Sequence, residues 1–151
     1  MGSKPNPKSD HVLVTGVCGD IGSRLAEHFL RQGFRVLGLD IAREKPKNCA
    51  GQKLFSFASC DLTDPKASAA AIDAFVAEHG PLTIVLNNVG LIFNAPVLNM
   101  VDGQMVGHDS ADWNKVLAVS LSSAFYVTTA CVKHMAKAGG GGVVKIGRAH
   151  V

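Results

Sequence analysis

A doubly wound α/β fold, a parallel sheet with helices on both faces, is what this sequence predicts, and two observations carry the prediction. Short apolar runs of strand length alternate with helix-like stretches five times along the 151 residues. Aliphatic residues are plentiful while aromatics make up only 6%, a balance suited to a parallel sheet covered on both faces. A chain of this length forms one domain with a real core.

Each element has its own local reason. Residues 1–10 are polar and contain two prolines, and are expected to be a disordered lead-in. Residues 11–15 read as the first strand. Residues 21–32 read as a helix with Leu25, Phe29 and Leu30 on one side and Gly33 as its stop. A second strand covers 35–41, a charged loop 42–52, and a third strand 53–60, where Phe55 and Phe57 alternate with smaller residues. Asp64-Pro65 is a cap and first-turn signal for a helix through about His79, closed by Gly80-Pro81. Residues 82–87 form a fourth, buried strand, and a long loop spans 89–109. Ser110 is read as the cap of a helical stretch beginning near Ala111, followed by a longer helix to about Ala138, and four glycines then lead into a last strand, 143–146.

Composition excludes several functions. The net charge is +3 with scattered basic residues and no basic block, which argues against nucleic acid. Apolar runs are read as strand-length and no signal peptide is visible, arguing against membrane insertion and secretion. Cys18, Cys49, Cys60 and Cys131 are widely spaced with no C-x-x-C, as in reduced, cytoplasmic proteins. His28, His79 and His134 sit singly on different helices, so no metal site is expected.

The chemistry concentrates in Thr15-Gly16-Val17-Cys18-Gly19-Asp20-Ile21-Gly22, between the first strand and the first helix. Gly16 lets the chain turn out of the strand, Gly19 removes a side chain where backbone must approach a pyrophosphate, and Gly22 allows close packing of the helix. The helix N-terminus then offers free N–H groups and the positive end of its dipole to phosphates. Asp40 ends the second strand 18 residues past Gly22, where a carboxylate accepts hydrogen bonds from the hydroxyls of an adenosine ribose. It would repel a 2′-phosphate, favouring NAD over NADP, and Arg43 softens that preference. The alternative for Asp40 is a solvated carboxylate at a strand end.

In its glycine turn and Asp40 the chain resembles the short-chain dehydrogenase/reductase family, and the likeness extends over about residues 11–146. Asp61-Leu62 matches the place where that family sets an aspartate and a neighbouring N–H against adenine. Asn87-Asn88-Val89-Gly90 resembles its Asn-Asn-Ala-Gly, which steadies the sheet and borders the cofactor, and Trp113 with the run 116–125 follows its middle section. The resemblance implies a Rossmann-like NAD(P)-binding domain over 11–146, its five strands ordered 3-2-1-4-5. The implied cofactor contacts are Gly16, Gly19, Asp20, Ile21, Gly22, Asp40, Asp61, Leu62, Asn88, Val89 and Gly90. It further implies hydride transfer between a small-molecule alcohol and a carbonyl, and homo-oligomers for complete members.

Departures matter equally. Gly19 stands one place before the position usual in the single-domain branch, a spacing closer to the extended branch that includes sugar-nucleotide epimerases, while Asn-Asn-Val-Gly argues for the former. Asp20 brings a carboxylate near the expected phosphates. Ser120 replaces an asparagine that helps the family hold a water, and reads equally as a helix serine bonding back to a carbonyl. The family's catalytic Tyr-x-x-x-Lys has no counterpart: the single tyrosine is Tyr126, and four places on stands Ala130. No catalytic residue is therefore assigned, and the chain alone is expected to be inactive; a non-catalytic dinucleotide-binding module is the second reading. The ending Ile146-Gly147-Arg148-Ala149-His150-Val151 resembles one reading frame of a sequencing-library adapter, so residues 147–151 are expected to be non-native, with a genuine short tail as the alternative. The last strand is expected to be an exposed edge, and the long helix to keep an uncovered apolar face.

Overall fold

A computed structural model describes residues 5–7 and 9–147. Five parallel strands form the sheet: β1 (His11–Thr15), β2 (Arg35–Asp40), β3 (Phe55–Ser59), β4 (Leu82–Asn87) and β7 (Gly142–Lys145), in the order β3-β2-β1-β4-β7. Counted within the sheet alone, this is the expected 3-2-1-4-5. The numbering skips because β5 (Leu98–Val101) and β6 (Gln104–Gly107) form a separate antiparallel hairpin. β1 lies at the centre, with Val12 opposite Val36 on one side and Ile84 on the other.

Strand alternation divides the core into two layers. Leu13, Leu37 and Leu39 face one side, where they meet Ile72 and Phe75 of α2 (Pro65–His79) and Val127, Cys131 and Met135 of α4 (Ser123–Lys137). Val12, Val14 and Val36 face the other, against Ala26 and Leu30 of α1 (Asp20–Arg31). The α2 cap is the expected one: Asp64 accepts from the N–H of Lys66 at 2.8 Å and of Ala67 at 3.3 Å, with Pro65 opening the helix. Asp73 of α2 accepts from Lys133 Nζ at 3.0 Å and pairs with His134 Nε2 at 2.7 Å, linking α2 to α4 across their exposed sides.

Four expectations need correcting. The third strand begins at Phe55 rather than residue 53, because residues 51, 53 and 54 form a turn in which Phe55 N–H bonds Gln52 O. The loop 89–109 contains the β5–β6 hairpin, whose tip Asp102-Gly103 has positive φ at both residues (50° and 76°), a two-residue turn that matches strand twist. The cap of α3 (Ser110–Leu117) is Asp109, which stays extended and accepts from Ala111 N–H at 2.8 Å; Ser110 is already helical. Finally, α3 and α4 are joined by a π-helical turn, Ala118–Ser122. The continuous helix Ser110–Lys137 is long and apolar enough to cross a membrane by length and composition, contrary to the reading of strand-length apolar runs. Its apolar residues Val127, Ala130, Cys131 and Met135 are buried within the fold.

The expected exposed edge and uncovered face are both present. Every residue of β7 is exposed, and Trp113, Leu117, Leu121 and Phe125 stand in solvent. Within the expected lead-in, Asp10 accepts from the Thr83 hydroxyl at 2.9 Å, tying it to β4; residues 1–4 and 8 lie outside the described residues, as do 148–151 of the expected tail.

Candidate functional site

The glycine turn is held from both flanking strands. Gly16 leaves β1 at φ 64°, and its N–H bonds Leu39 O at 2.8 Å. Cys18 N–H bonds Asp40 Oδ2 at 2.8 Å, so the carboxylate at the end of β2 helps shape the turn as well as facing outward; Ala42 N–H bonds its other oxygen at 3.0 Å. Both oxygens keep further acceptor capacity. A Cβ on Gly22 would lie 2.1 Å from Gly16 O, so α1 can pack here only with glycine. A Cβ on Gly19 would meet only Gly16 O, at 3.4 Å. Nothing in the protein demands glycine at 19, and the space over it is open to a ligand.

No side chain caps α1, and its cap residue is Gly19 itself. The N–H groups of its first turn are thus left to a ligand or solvent, the arrangement that suits an anion. Asp20 is exposed in that same first turn, and Ile21 is 59% exposed beside it.

The loop after β4 is clasped to the turn. Thr15 Oγ1 accepts from Asn88 N–H at 3.0 Å and Val89 N–H at 3.1 Å, while Asn88 Nδ2 donates to Thr15 O at 3.1 Å and Gly16 O at 3.3 Å. Asn87 reaches the other way, donating to Thr128 Oγ1 of α4 at 3.0 Å, with its Oδ1 buried and unpartnered among the described residues.

Three adjoining cavities follow the C-terminal ends of the strands. The first, about 100 Å³, is lined by Asp40, Asp61, Leu62, Val89 and Ser123 among others. The second, about 410 Å³, includes Gly16, Gly19, Asp40, Asn88 and Gly90. The third, about 770 Å³, includes Ile21, Asn88, Gly90, Ser120 and Lys145. Shared walls make them one trough: Asp40 and Val89 between the first two, Asn88 and Gly90 between the second and third. Nine of the eleven residues expected from sequence line it. Asp20 and Gly22 do not; Gly22 is buried under the turn and acts by packing alone. Asp61 spends Oδ1 on Thr63, accepting from its N–H at 2.9 Å and its hydroxyl at 2.7 Å.

Two residues of this region, Thr15 and Lys145, had no role assigned from sequence, and Ser120 makes a bond that its sequence reading did not include. Thr15 is fully buried, and its role was visible only as a polar residue ending an apolar strand. Ser120 neither bonds back along its helix nor stands free: its Oγ accepts from Leu91 N–H at 2.9 Å and donates to Leu91 O at 3.0 Å, within the π-helical turn. The i−4 back-bond is made instead by Ser123, to Val119 O at 2.6 Å. Lys145 crosses to Val89 O at 3.0 Å; a lone charge in an apolar strand was its only signal. Cys18, at the rim, has its thiol pushed up to about 11 by burial and by Asp40, so it is protonated and a poor nucleophile. Among the described residues no group of His, Cys, Asp or Glu is placed to hold a metal ion.

A parallel sheet with a glycine turn, a strand-end acid and a trough at the switch between crossovers defines a dinucleotide-fold protein. The family described as short chain dehydrogenase matches residues 10–149, and the chain belongs to it. Among curated relatives, it is 31% identical over 139 residues to a D-threitol dehydrogenase of Mycolicibacterium smegmatis, covering 89% of this chain and 50% of the relative. It is 30% identical over 148 residues to a D-xylose 1-dehydrogenase of Caulobacter vibrioides, covering 95% and 55%. The chain thus spans about half the length of these relatives. The structure of ElxO with NADP bound shares its fold at a TM-score of 0.76 and 24% identity, over 91% of this chain and 54% of that one.

Proposed function

We propose that this chain is the cofactor-binding part of an NAD-dependent oxidoreductase that interconverts an alcohol and a carbonyl. The observation supporting this is the trough itself, in which an uncapped helix start and an open Gly19 adjoin the Asp40 carboxylate. In this reading the first-turn N–H groups of α1 take the pyrophosphate, and Asp40 takes the hydroxyls of the adenosine ribose and disfavours a 2′-phosphate. Asp61 and Leu62 border the adenine. Asn88, Val89 and Gly90 form the wall towards the reacting end, and Asp20 weakens phosphate binding by its charge. The nicotinamide, when bound, supplies or accepts the hydride. The protein works in the cytoplasm with reduced thiols, acts on a small molecule and, in its full-length form, assembles as a homo-oligomer.

Catalysis by residues 1–151 alone is not expected. Tyr126 lies half-buried on α4 beside Phe125, away from the trough lining, and Ala130 follows it where the family's pair would need lysine. That observation also favours the second reading, a dinucleotide-binding module without catalysis. Purified chain mixed with NADH and a panel of aldehydes and ketones should show no loss of absorbance at the nicotinamide band. Turnover above the protein-free rate would overturn the assignment of an inactive chain.

A further inference from the structure

The third cavity of the trough contains one charged side chain among its described lining residues, Lys145. Lys145, last residue of β7, reaches over its own strand end and donates to Val89 O at 3.0 Å and Ile146 O at 3.1 Å. An ammonium has three N–H donors, and these two carbonyls take two of them. No Asp or Glu lies within ion-pair distance among the described residues, and burial is the only influence that lowers its pKa, with no charged neighbour contributing. The two carbonyls that accept from it favour the ammonium form over the neutral amine. The cavity around it is otherwise neutral, with Ile21, Leu91, Val116 and Ile146 as apolar wall and Asn88 and Ser120 as polar points. A cation with no acidic partner among the described residues is, in such a wall, a recognition element for an anionic oxygen, because its third N–H is left for a charge-assisted bond.

We propose that Lys145 is the anion-recognising group of this cavity, and that the ligand seated there carries a carboxylate or phosphate oxygen to it. This rests on the dinucleotide reading of the trough and adds a substrate class to it. If the oxygen belongs to the substrate, that substrate is an acidic alcohol or carbonyl compound, a hydroxy acid or oxo acid, rather than a neutral one. If it belongs to the dinucleotide, it is a phosphate.

The test compares wild-type chain, Lys145→Met and Lys145→Arg, each checked for folding by circular dichroism. Pyruvate, inorganic pyrophosphate and neutral hydroxyacetone are titrated at low salt while the amide signals of Val89, Leu91 and Ile146 are followed by NMR. The expected result is saturable shifts with pyruvate or pyrophosphate in the wild type, at least tenfold weaker binding in Lys145→Met, recovery in Lys145→Arg, and no saturable response to hydroxyacetone. Dependence of pyruvate on Lys145 assigns the anion to the substrate; dependence of pyrophosphate assigns it to the dinucleotide. Equal binding by wild type and Lys145→Met, or no saturable binding of either anion by wild type, overturns the proposal. NADH titrated into the same wild-type sample reads the underlying assignment separately, since NADH can bind while Lys145 proves irrelevant, and anions can bind where NADH does not.

Discussion

Thr15 and Asn88 grip each other in both directions: the Thr15 hydroxyl accepts the Asn88 N–H at 3.0 Å, and the Asn88 amide returns a bond to the Thr15 carbonyl at 3.1 Å. The pair joins the ends of the two central strands and fixes the loop that walls the trough. Thr15→Val keeps the shape but strands the N–H groups of Asn88 and Val89. Urea unfolding should show a loss of about 1–3 kcal/mol. An unchanged midpoint would mean the clasp contributes nothing to stability.

Gly22→Ala tests the close approach beneath the turn. The added methyl meets a backbone carbonyl at 2.1 Å, which cannot swing aside as a flexible side chain would. A cost of about 1–3 kcal/mol is expected for overpacking, together with a weakened response to NADH, because the turn must shift to make room. Full stability and full binding together would contradict the packing described here.

His11 supplies a pH dependence. Burial lowers its pKa from 6.5, with Arg35 and His79 acting in the same direction and the Gly80 and Pro81 carbonyls opposing. A folded-state pKa below the unfolded one means this contribution is complete above pH 6.5 and is lost as pH falls through the folded value. Stability should therefore drop as pH falls below 6.5 more steeply in wild type than in His11→Leu. Parallel curves for the two proteins would remove His11 as the cause.

The exposed side of the long helix should drive association. Leu121 and Phe125 are 64% and 66% exposed one turn apart, beside Trp113 and Leu117. Sedimentation should show mass rising with protein concentration in wild type and much less in Leu121→Lys. A wild-type chain that stays monomeric at high concentration would show that this face attracts no partner copy.

The strands of the sheet, α1 and α2 were legible in the sequence because local signals agree there: alternating apolar residues, the Asp64-Pro65 cap and the glycine spacing. Of the trough, the glycine turn and Asp40 were legible in the same way, while Asp61, Leu62 and Asn88 to Gly90 were reached through the family resemblance. The hairpin was missed although Asp102-Gly103 between apolar residues announces one. Met100 and Met105, inside the expected 89–109 loop, oppose each other across β5 and β6. Asp109 and Ser110 are both cap-forming residues in sequence, and only the backbone decides that Asp109 stays extended. The π-helical turn could not be read locally at all, since Ser120 answers to Leu91, 29 residues away. Lys145 is of the same kind: its partner Val89 belongs to another strand's loop.

Calorimetric titration of NADH, and then NADPH, into the purified 1–151 chain decides whether the trough is a dinucleotide site. Saturable one-to-one binding of NADH is expected, with weaker binding of NADPH and a narrowed gap between them in Asp40→Ala. Absence of saturable binding of either dinucleotide by the folded wild-type chain would contradict the dinucleotide reading of the trough.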